Sequence, residues 1–333
     1  MKNISRRHAL SLAASAGTAA IIGAPTILRA AAYPSHPITL VNPNPPSGYV
    51  DAMCRVMSGP MSKAFGQPVV VVNIPGASEM LGFEQYLRDA DDGYFLVACA
   101  ATYIPLNILL QKATFKPEDF QMVNLSARDY TLMASGPDSK LKTAGDLVAA
   151  LKKNPASLSI GVVRVSSDNV NVALFLQSIG VDYQKARIVT FENGGSVRPA
   201  VMGNVVDCGF VGGEGFEPIA DQVTPLLTFD TKRHAPFTAV PTVGEAALGK
   251  PFDPVAGSLR GFAVQATMKT RHPDVYAKVL STMEAVYKDP KVIAAMKSQS
   301  LAPTWYGPDD SQDIYLKTCA QMVQYAGLLK KGA

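Results

Sequence analysis

The feature that most constrains the fold is an alternation of strand-like and helix-like segments along almost the whole chain. Short apolar runs, such as residues 38–41, 69–72 and 158–163, are each followed by a loop and then by apolar residues at helical spacing. Strands that alternate with helices in this way pair in mostly parallel sheets, because the helices cover both faces. The sequence therefore predicts an α/β protein.

The length of the chain and the order of its segments predict two lobes. A chain of 333 residues is long enough to bury two cores. We expect residues 33–134 to form the first part of lobe one and residues 135–256 to form lobe two. Residues 257–333 then return to lobe one and end in helices. Two crossings between lobes would make a hinge, about which a cleft can close on a ligand.

The first 32 residues have the pattern of an export signal. Arg6 and Arg7 precede a weakly apolar, alanine-rich run that ends at Ala32, a suitable cleavage position. Paired arginines favour the twin-arginine route, and the alternative is an ordinary secretory signal. By either route the mature protein is expected in the periplasm.

Charge excludes several classes of partner. Four of the 31 basic residues lie in the leader, which contains no acidic residue, so 27 basic residues face 27 acidic ones in the mature chain. No basic stripe remains for nucleic acid or for an anionic membrane surface. No later run of 18 apolar residues predicts a membrane span.

The cysteines and histidines give no sign of a metal or cofactor site. The histidines are dispersed, and the cysteines form no CxxC pair. In an exported protein the cysteines allow either two disulfides, with three pairings, or buried free thiols. We favour free thiols, because twin-arginine cargo folds before it leaves the cytoplasm. The cysteines are Cys54, Cys99, Cys208 and Cys319.

Two strand-to-helix loops mark the expected binding region of lobe one. Residues 43–51 follow the first strand, and residues 98–102 follow a later one. Ligands of open α/β sheets bind beyond the carboxyl ends of the strands, where helix N-termini offer free N–H groups. These loops contain hydroxyls and backbone donors but no nucleophile–base pair. They therefore favour binding over catalysis.

An ordered set of motifs resembles the Bug receptors, which are periplasmic solute-binding proteins of tripartite tricarboxylate transporters. The motifs lie at residues 33–41, 66–77, 92–94, 203–207, 240–246 and 260–261. The resemblance implies a type II, Venus-flytrap fold with two α/β lobes and no cofactor. It also implies that loops of both lobes hold a carboxylate through backbone N–H groups, hydroxyls and ordered waters.

The loops depart from the family pattern at several positions. Asn44 stands at a usual aromatic position, Ser47 replaces a glycine, and Tyr49 replaces a small residue. Val211 stands where many members carry an aspartate that meets amino groups of ligands. The typical ligand of the family is therefore not transferred to this chain.

The expected ligand-binding residues come from the loops of both lobes. They are Asn44, Ser47, Gly48, Tyr49, Ala101, Thr102, Arg164, Ser166, Ser167, Asn169, Phe191 and Gly213, with Asp51 expected to fix the first loop. The competing interpretation of the hydroxyls is helix capping. For Tyr49 the two interpretations are a lid over the ligand and a surface aromatic.

Arg164 has two interpretations. Its guanidinium suits a second carboxylate of the ligand, and the alternative is a solvated arginine or a partner of Asp168 or Glu192.

These observations predict a non-catalytic, monomeric receptor that delivers a small organic anion to membrane transporter subunits. An aromatic or other dicarboxylate is one candidate ligand. A sensory co-receptor would use the same binding chemistry. A periplasmic cofactor enzyme is the third possibility, but the chain contains no haem motif and no dinucleotide fingerprint.

Overall fold

The computed structural model describes residues 33–329, so the expected export signal lies outside the described residues. Within this range the strands are β1 (Ile38–Asn42), β2 (Val69–Asn73), β3 (Phe95–Ala100), β4 (Phe120–Arg128), β5 (Thr131–Ser135), β6 (Ser159–Val163), β7 (Arg187–Phe191), β8 (Cys208–Gly212), β9 (Thr224–Phe229) and β10 (Leu259–Gln265).

The helices connect these strands and finish the chain. They are α1 (Tyr49–Phe65), α2 (Met80–Arg88), α3 (Tyr103–Gln111), α4 (Ala144–Lys153), α5 (Ser167–Ser178), α6 (Gly194–Met202), α7 (Val243–Ala246), α8 (Met268–Arg271), α9 (Pro273–Lys288), α10 (Pro290–Ser298) and α11 (Pro308–Tyr325). Short 3₁₀ helices span Pro117–Asp119, Tyr183–Lys185, Gly213–Gln222 and Ala326–Leu328.

The strands form two five-stranded sheets, one in each lobe. The first has the order β2-β1-β3-β10-β4, and the second has the order β7-β6-β8-β5-β9. In the first sheet only β10 is antiparallel to its neighbours, and in the second only β5 is. The predicted two-lobed α/β fold with mostly parallel sheets is confirmed.

Helix α1 shows how the sequence produces these units. Its apolar residues Met53, Met57 and Met61 recur every four positions and are buried against the first sheet. The helix ends at Gly66, whose φ of 74° is readily adopted only by glycine and whose N–H donates to Ser62 O. This unit places the N-terminus of α1 at the carboxyl end of β1.

The first crossing between the lobes lies earlier than we expected. The sequence assigns residues up to 134 to lobe one, but β5 pairs with β8 and β9 of the second sheet. The chain therefore crosses at Asp129 and Tyr130, directly after β4. It returns beside this point, where Asp129 N donates to Ser258 O at 3.0 Å. The sequence does not reveal the crossing, because only Asp129 and Tyr130 separate β4 from β5 and the whole segment is nearly continuously buried.

The last helix, α11, connects the two lobes. α9 and α10 pack against α1, and α11 packs against β4 and α3 of lobe one. Near its end α11 also contributes Met322 to an apolar cluster with Val170 and Leu174 of α5 and Leu106 of α3. This cluster belongs to both lobes.

All four cysteines are buried free thiols. The described helices include none with the length and apolar character needed to cross a bilayer. Within residues 33–329, no three His, Cys, Asp or Glu side chains converge as a metal site would require.

Candidate functional site

The first loop of lobe one is organised around the buried carboxylate of Asp51. Its oxygens accept hydrogen bonds from Ser47 N at 3.1 Å, Asn42 Nδ2 at 3.2 Å, Asn73 Nδ2 at 2.9 Å and Arg55 Nε at 2.8 Å. Burial raises the pKa of this carboxyl, but the hydrogen bonds outweigh burial and hold the pKa below its usual range. Because Ser47 N donates to Asp51, that amide is already used within the loop.

Tyr49, the first residue of α1, lies beneath an arginine. Its hydroxyl accepts a hydrogen bond from Ala302 N at 2.9 Å, and the guanidinium carbon of Arg260 lies 4.5 Å from its ring centroid. Burial, with the nearby charge of Glu214, raises the pKa of Tyr49 to about 12. The Tyr49 side chain is thus fixed by the hydrogen bond to its hydroxyl and by the cation–π contact of its ring with Arg260.

Arg260 lies at the start of β10, where the two lobes meet. Its side chain is 14% exposed, and both Nη atoms lie 3.3 Å from Asp129 Oδ2. Asp129 also accepts hydrogen bonds from the backbone N atoms of Tyr130 and Glu214. Glu214, which follows β8 of lobe two, places Oε2 3.9 Å from Arg260 Nη1. These three charged side chains therefore connect lobe one, the crossing and lobe two.

Lobe two contributes two further buried charged groups. Arg198 of α6 donates to Gly212 O at 2.8 Å. Asp168 of α5 accepts from the Thr131 hydroxyl at 2.6 Å, and that hydroxyl accepts from Asn171 Nδ2 at 2.9 Å. Burial raises the pKa of Asp168 to about 7. Burial and the charge of Asp129 raise the pKa of Glu214 to about 7.

Ser166 and Asn169 use their polar atoms within lobe two. The Ser166 hydroxyl caps α5 by accepting from Asn169 N at 3.2 Å and donates to Val163 O at 2.8 Å. The Asn169 amide donates to Arg164 O and accepts from the Tyr183 hydroxyl. Both side chains are therefore committed to the shape of the loop.

Three other predicted residues are also held by their neighbours. Ala101 N donates to Leu259 O at 2.7 Å, and Gly213 N donates to Tyr130 O at 2.8 Å. A side chain at Gly213 would collide with the Tyr130 ring, so only glycine fits there. Phe191 ends β7 and packs, half-buried, against the core of lobe two.

Arg164 lies at the surface. Its side chain is 55% exposed, and Nη2 lies 3.5 Å from Oε1 of Glu192, which is itself 78% exposed. Of the two partners considered from the sequence, the structure places Glu192 beside it. The buried cation nearest the crossing is Arg260.

Several polar atoms around the cleft have no partner within residues 33–329. The buried Thr102 Oγ1 at the N-terminus of α3 is one, and the buried Glu214 Oε2 is another. The amides of Gly48 and Tyr49, at the N-terminus of α1, and the Ser167 hydroxyl also make no hydrogen bond in the described part. Buried polar groups of native proteins are normally paired, so the buried Thr102 Oγ1 is a candidate for ligand contact, and the amides at the N-terminus of α1 can donate to an anion.

Sequence reasoning missed the charged residues of this region: Asp129, Arg198, Glu79 and, as a site residue, Arg260. One signal was present, because Arg260 interrupts the otherwise apolar strand LRGFAVQ. An arginine inside a buried strand requires an anionic partner. Its partner, Asp129, is 131 positions away in the chain and gave no local signal.

A separate cavity of about 350 Å³ lies between α5 and the C-terminal end, beside Gln177, Tyr183 and Leu328. It is lined by none of the predicted ligand-binding residues and does not reach the ends of the strands.

The comparisons with known proteins agree with this architecture. The model of the tripartite tricarboxylate transporter family receptor matches residues 53–330. The chain belongs to this family. Among curated relatives, BugT of Bordetella pertussis is 26% identical, with 96% of this chain and 94% of BugT covered.

Two solved structures of Rhodopseudomonas palustris receptors share the fold. Rpa4515 with adipate is 20% identical, with a TM-score of 0.74, over 89% of this chain and 98% of Rpa4515. MatC with bound malate is 19% identical, with a TM-score of 0.71, over 90% of this chain and 100% of MatC. The resemblance to the Bug receptors is thus confirmed.

Proposed function

We propose that this protein is a periplasmic receptor that closes its two lobes on a small organic carboxylate and delivers it to the membrane subunits of a tripartite tricarboxylate-type transporter. Membership of the receptor family supports the transport role. The adipate and malate in the Rpa4515 and MatC structures support a carboxylate ligand.

The observation that carries this proposal is the unsaturated guanidinium of Arg260. A guanidinium has five N–H donors, and hydrogen bonds to Asp129 Oδ2 use only one on each Nη atom. The remaining donors have no hydrogen-bond acceptor within residues 33–329, although the side chain is largely buried. A ligand carboxylate fits this requirement, because guanidinium and carboxylate pair in a planar, bidentate geometry.

Neighbouring groups complete the proposed site. Thr102 Oγ1 and the free amides at the N-terminus of α1 supply neutral donors from lobe one, and Ser167 supplies a hydroxyl from lobe two. Hydrogen bonds to a charged group contribute about 1.5–3 kcal/mol each, so a few of them suffice for micromolar affinity after ordering costs.

The test is a thermal-shift screen of organic acids on the mature chain, followed by calorimetry. A true ligand at 100 times its Kd stabilises the folded state by about 2.7 kcal/mol. We expect Arg260→Lys, which keeps a positive charge beside Asp129 but loses the planar fork, to weaken binding about tenfold. The control is Arg233→Lys, because Arg233 forms an exposed pair with Glu245 of lobe two. Failure of every acid to bind would contradict the proposal.

A further inference from the structure

The turn before α2 has an unusual backbone. Gly76, Ala77, Ser78 and Glu79 have successive φ values of 141°, 47°, 51° and 74°. Three of these residues carry a Cβ atom, for which positive φ is unfavourable. Such conformations persist only where the surrounding structure enforces them, and they concentrate at functional sites.

The turn is held in place by α3 and delivers one side chain. Asn107 Nδ2 donates to Ser78 O at 2.8 Å, and Gln111 Nε2 donates to Ala77 O at 3.1 Å. Glu79 is thereby turned inward and is only 2% exposed. Burying a carboxyl without a paired cation is energetically unfavourable, so the contacts of the Glu79 carboxyl indicate its role.

Glu79 accepts hydrogen bonds from the ends of two parallel strands. Its Oε1 accepts from Asn44 Nδ2 at 2.9 Å, just beyond β1, and its Oε2 accepts from Ala100 N at 3.1 Å, at the end of β3. Ala100 also pairs in register with Arg260, the residue that reaches towards Glu214 of lobe two. Donors at the carboxyl ends of parallel strands are those that an anionic ligand uses in this class of fold.

We propose that Glu79 is a specificity-determining residue that fills the anion position at the ends of β1 and β3 with the protein's own carboxylate. This inference rests on the proposed function. The ligand then presents an uncharged group to this part of lobe one and its single carboxylate to Arg260. The preferred substrates are monocarboxylates, in contrast to the adipate and malate held by Rpa4515 and MatC.

The charge of Glu79 depends on the groups that face it. These are Arg260 from β10, Cys54 from α1, Cys99 from β3 and Tyr103 from α3. Burial raises the pKa of Glu79 to about 8, although its hydrogen bonds and Arg260 act in the opposite direction. Above this pH a second ligand carboxylate meets a like charge, and below it meets a neutral acid. Selection against dicarboxylates therefore strengthens as pH rises.

The experiment measures Kd by calorimetry for three pairs of acids that differ in the second carboxylate: butyrate and succinate, hexanoate and adipate, and benzoate and terephthalate. At pH 9 we expect the wild-type protein to bind at least one monocarboxylate at least tenfold more tightly than its dicarboxylate partner. At pH 6 we expect the ratio of the dicarboxylate Kd to the monocarboxylate Kd to be at least threefold lower than at pH 9.

Glu79→Gln removes the charge and keeps one acceptor oxygen, so we expect the ratio at pH 9 to fall at least fivefold. Glu84→Gln is the matched control, because Glu84 lies in α2, the helix that follows Glu79, but accepts a hydrogen bond from Thr114 rather than from the strand ends. We expect it to leave the ratio unchanged.

The outcomes separate the two proposals. Binding of these acids with a ratio that changes neither with pH nor in Glu79→Gln would overturn the role of Glu79 and leave the receptor intact. Tighter binding of the dicarboxylates by the wild-type protein at pH 9 would overturn it as well. If neither these six acids nor any acid of the wider screen binds the wild-type protein or Glu79→Gln, the proposed function itself is wrong. Glu214→Gln removes the other carboxyl beside Arg260 whose pKa is raised to about 7, and it should keep the fall in the ratio between pH 9 and pH 6, so this variant decides the question even if Glu79→Gln does not fold.

Discussion

Helices α1 and α5 occupy corresponding places in the two lobes, and each carries an aspartate in its first turn, yet the two carboxyls are in opposite electrostatic states. Asp51 of α1 has a lowered pKa, because Arg55 and three neutral donors compensate its burial. Asp168 of α5 has a raised pKa, because burial outweighs the one hydrogen bond that its carboxyl accepts within residues 33–329, from the Thr131 hydroxyl. A helix N-terminus favours an anion in both cases. The comparison shows that the balance between burial and local donors, rather than the position in the helix, decides the charge.

The same contrast describes the two sides of the cleft. In lobe one, the carboxyls of Asp51 and Glu79 occupy the donors at the strand ends. In lobe two, neutral side chains hold the corresponding loop before α5, because the Ser166 hydroxyl accepts from Asn169 N and the Asn169 amide donates to Arg164 O. The first loop of lobe one is therefore held by carboxyl groups, and the corresponding loop of lobe two is held by hydrogen bonds between uncharged groups. The following changes test this difference.

The largest effect is expected for Asp51→Ala. The substitution leaves buried donors such as Asn42 Nδ2 unpaired, so we expect the free energy of unfolding to fall by about 3 kcal/mol. Urea denaturation at pH 7 measures the loss. Because the folded pKa of Asp51 lies below the unfolded value, its contribution is present above about pH 4 and is lost as pH falls through the folded pKa.

Asp146→Ala is the control for this change. Asp146 also lies in the first turn of a helix, α4, and accepts only backbone hydrogen bonds at the surface. Its replacement should cost less. Equal losses at the two positions would contradict the central role given to Asp51.

A smaller effect of opposite sign is expected for Asp168→Asn. With a folded pKa of about 7, the folded state holds a proton that the unfolded state has lost. Wild-type stability therefore falls as pH rises from about 4 to above 7. The amide is neutral and can still accept from Thr131, so the variant should be more stable than the wild type by about 2 kcal/mol at pH 8 and nearly equal at pH 5. Urea midpoints at both pH values measure this, and identical pH slopes in the two proteins would disprove it.

A third pair of substitutions, at the N-termini of α3 and α5, separates effects on ligand affinity from effects on stability. Thr102→Val removes a hydroxyl that has no partner, so stability should change by less than about 0.5 kcal/mol while affinity for the acid found in the screen falls several-fold. Ser166→Ala should do the reverse, because loss of this cap costs about 1 kcal/mol of stability and removes no free donor. Calorimetry and urea denaturation of both variants test the pair. Parallel effects on both properties would contradict the distinction.

The fold was predictable because its signals are local. Each signal acts within one or two turns of the chain. The signals are the alternation of segments, the helical spacing of Met53, Met57 and Met61, and the end of the helix at Gly66. The crossing lies earlier than expected because β4 and β5 are both buried and form one run that only Asp129 and Tyr130 interrupt. Nothing within the run distinguishes a hairpin in one sheet from a passage between two sheets.

The site was predictable only in part, because its charges pair over long distances. The loops were located by the rule that ligands bind beyond strand ends, and Thr102 and Gly48 retain free polar groups there. The pairing of Arg260 with Asp129 and the reach of Glu79 to Ala100 depend on the tertiary fold. The sequence also does not show which hydroxyls already form hydrogen bonds within the protein, as the Ser166 hydroxyl does.

The smallest effect is expected for Arg164→Ala, although the sequence made Arg164 a candidate for a second carboxylate. An exposed guanidinium 3.5 Å from an exposed Glu192 gains little from pairing, because water screens both charges. We expect the affinity for the acid found in the screen to change less than twofold, against about tenfold for Arg260→Lys. Calorimetry of both variants with the same acid measures the difference. A tenfold loss in Arg164→Ala would instead place an anionic group of the ligand on lobe two, and the contrast between the lobes would then have to include a charged contact on each side of the cleft.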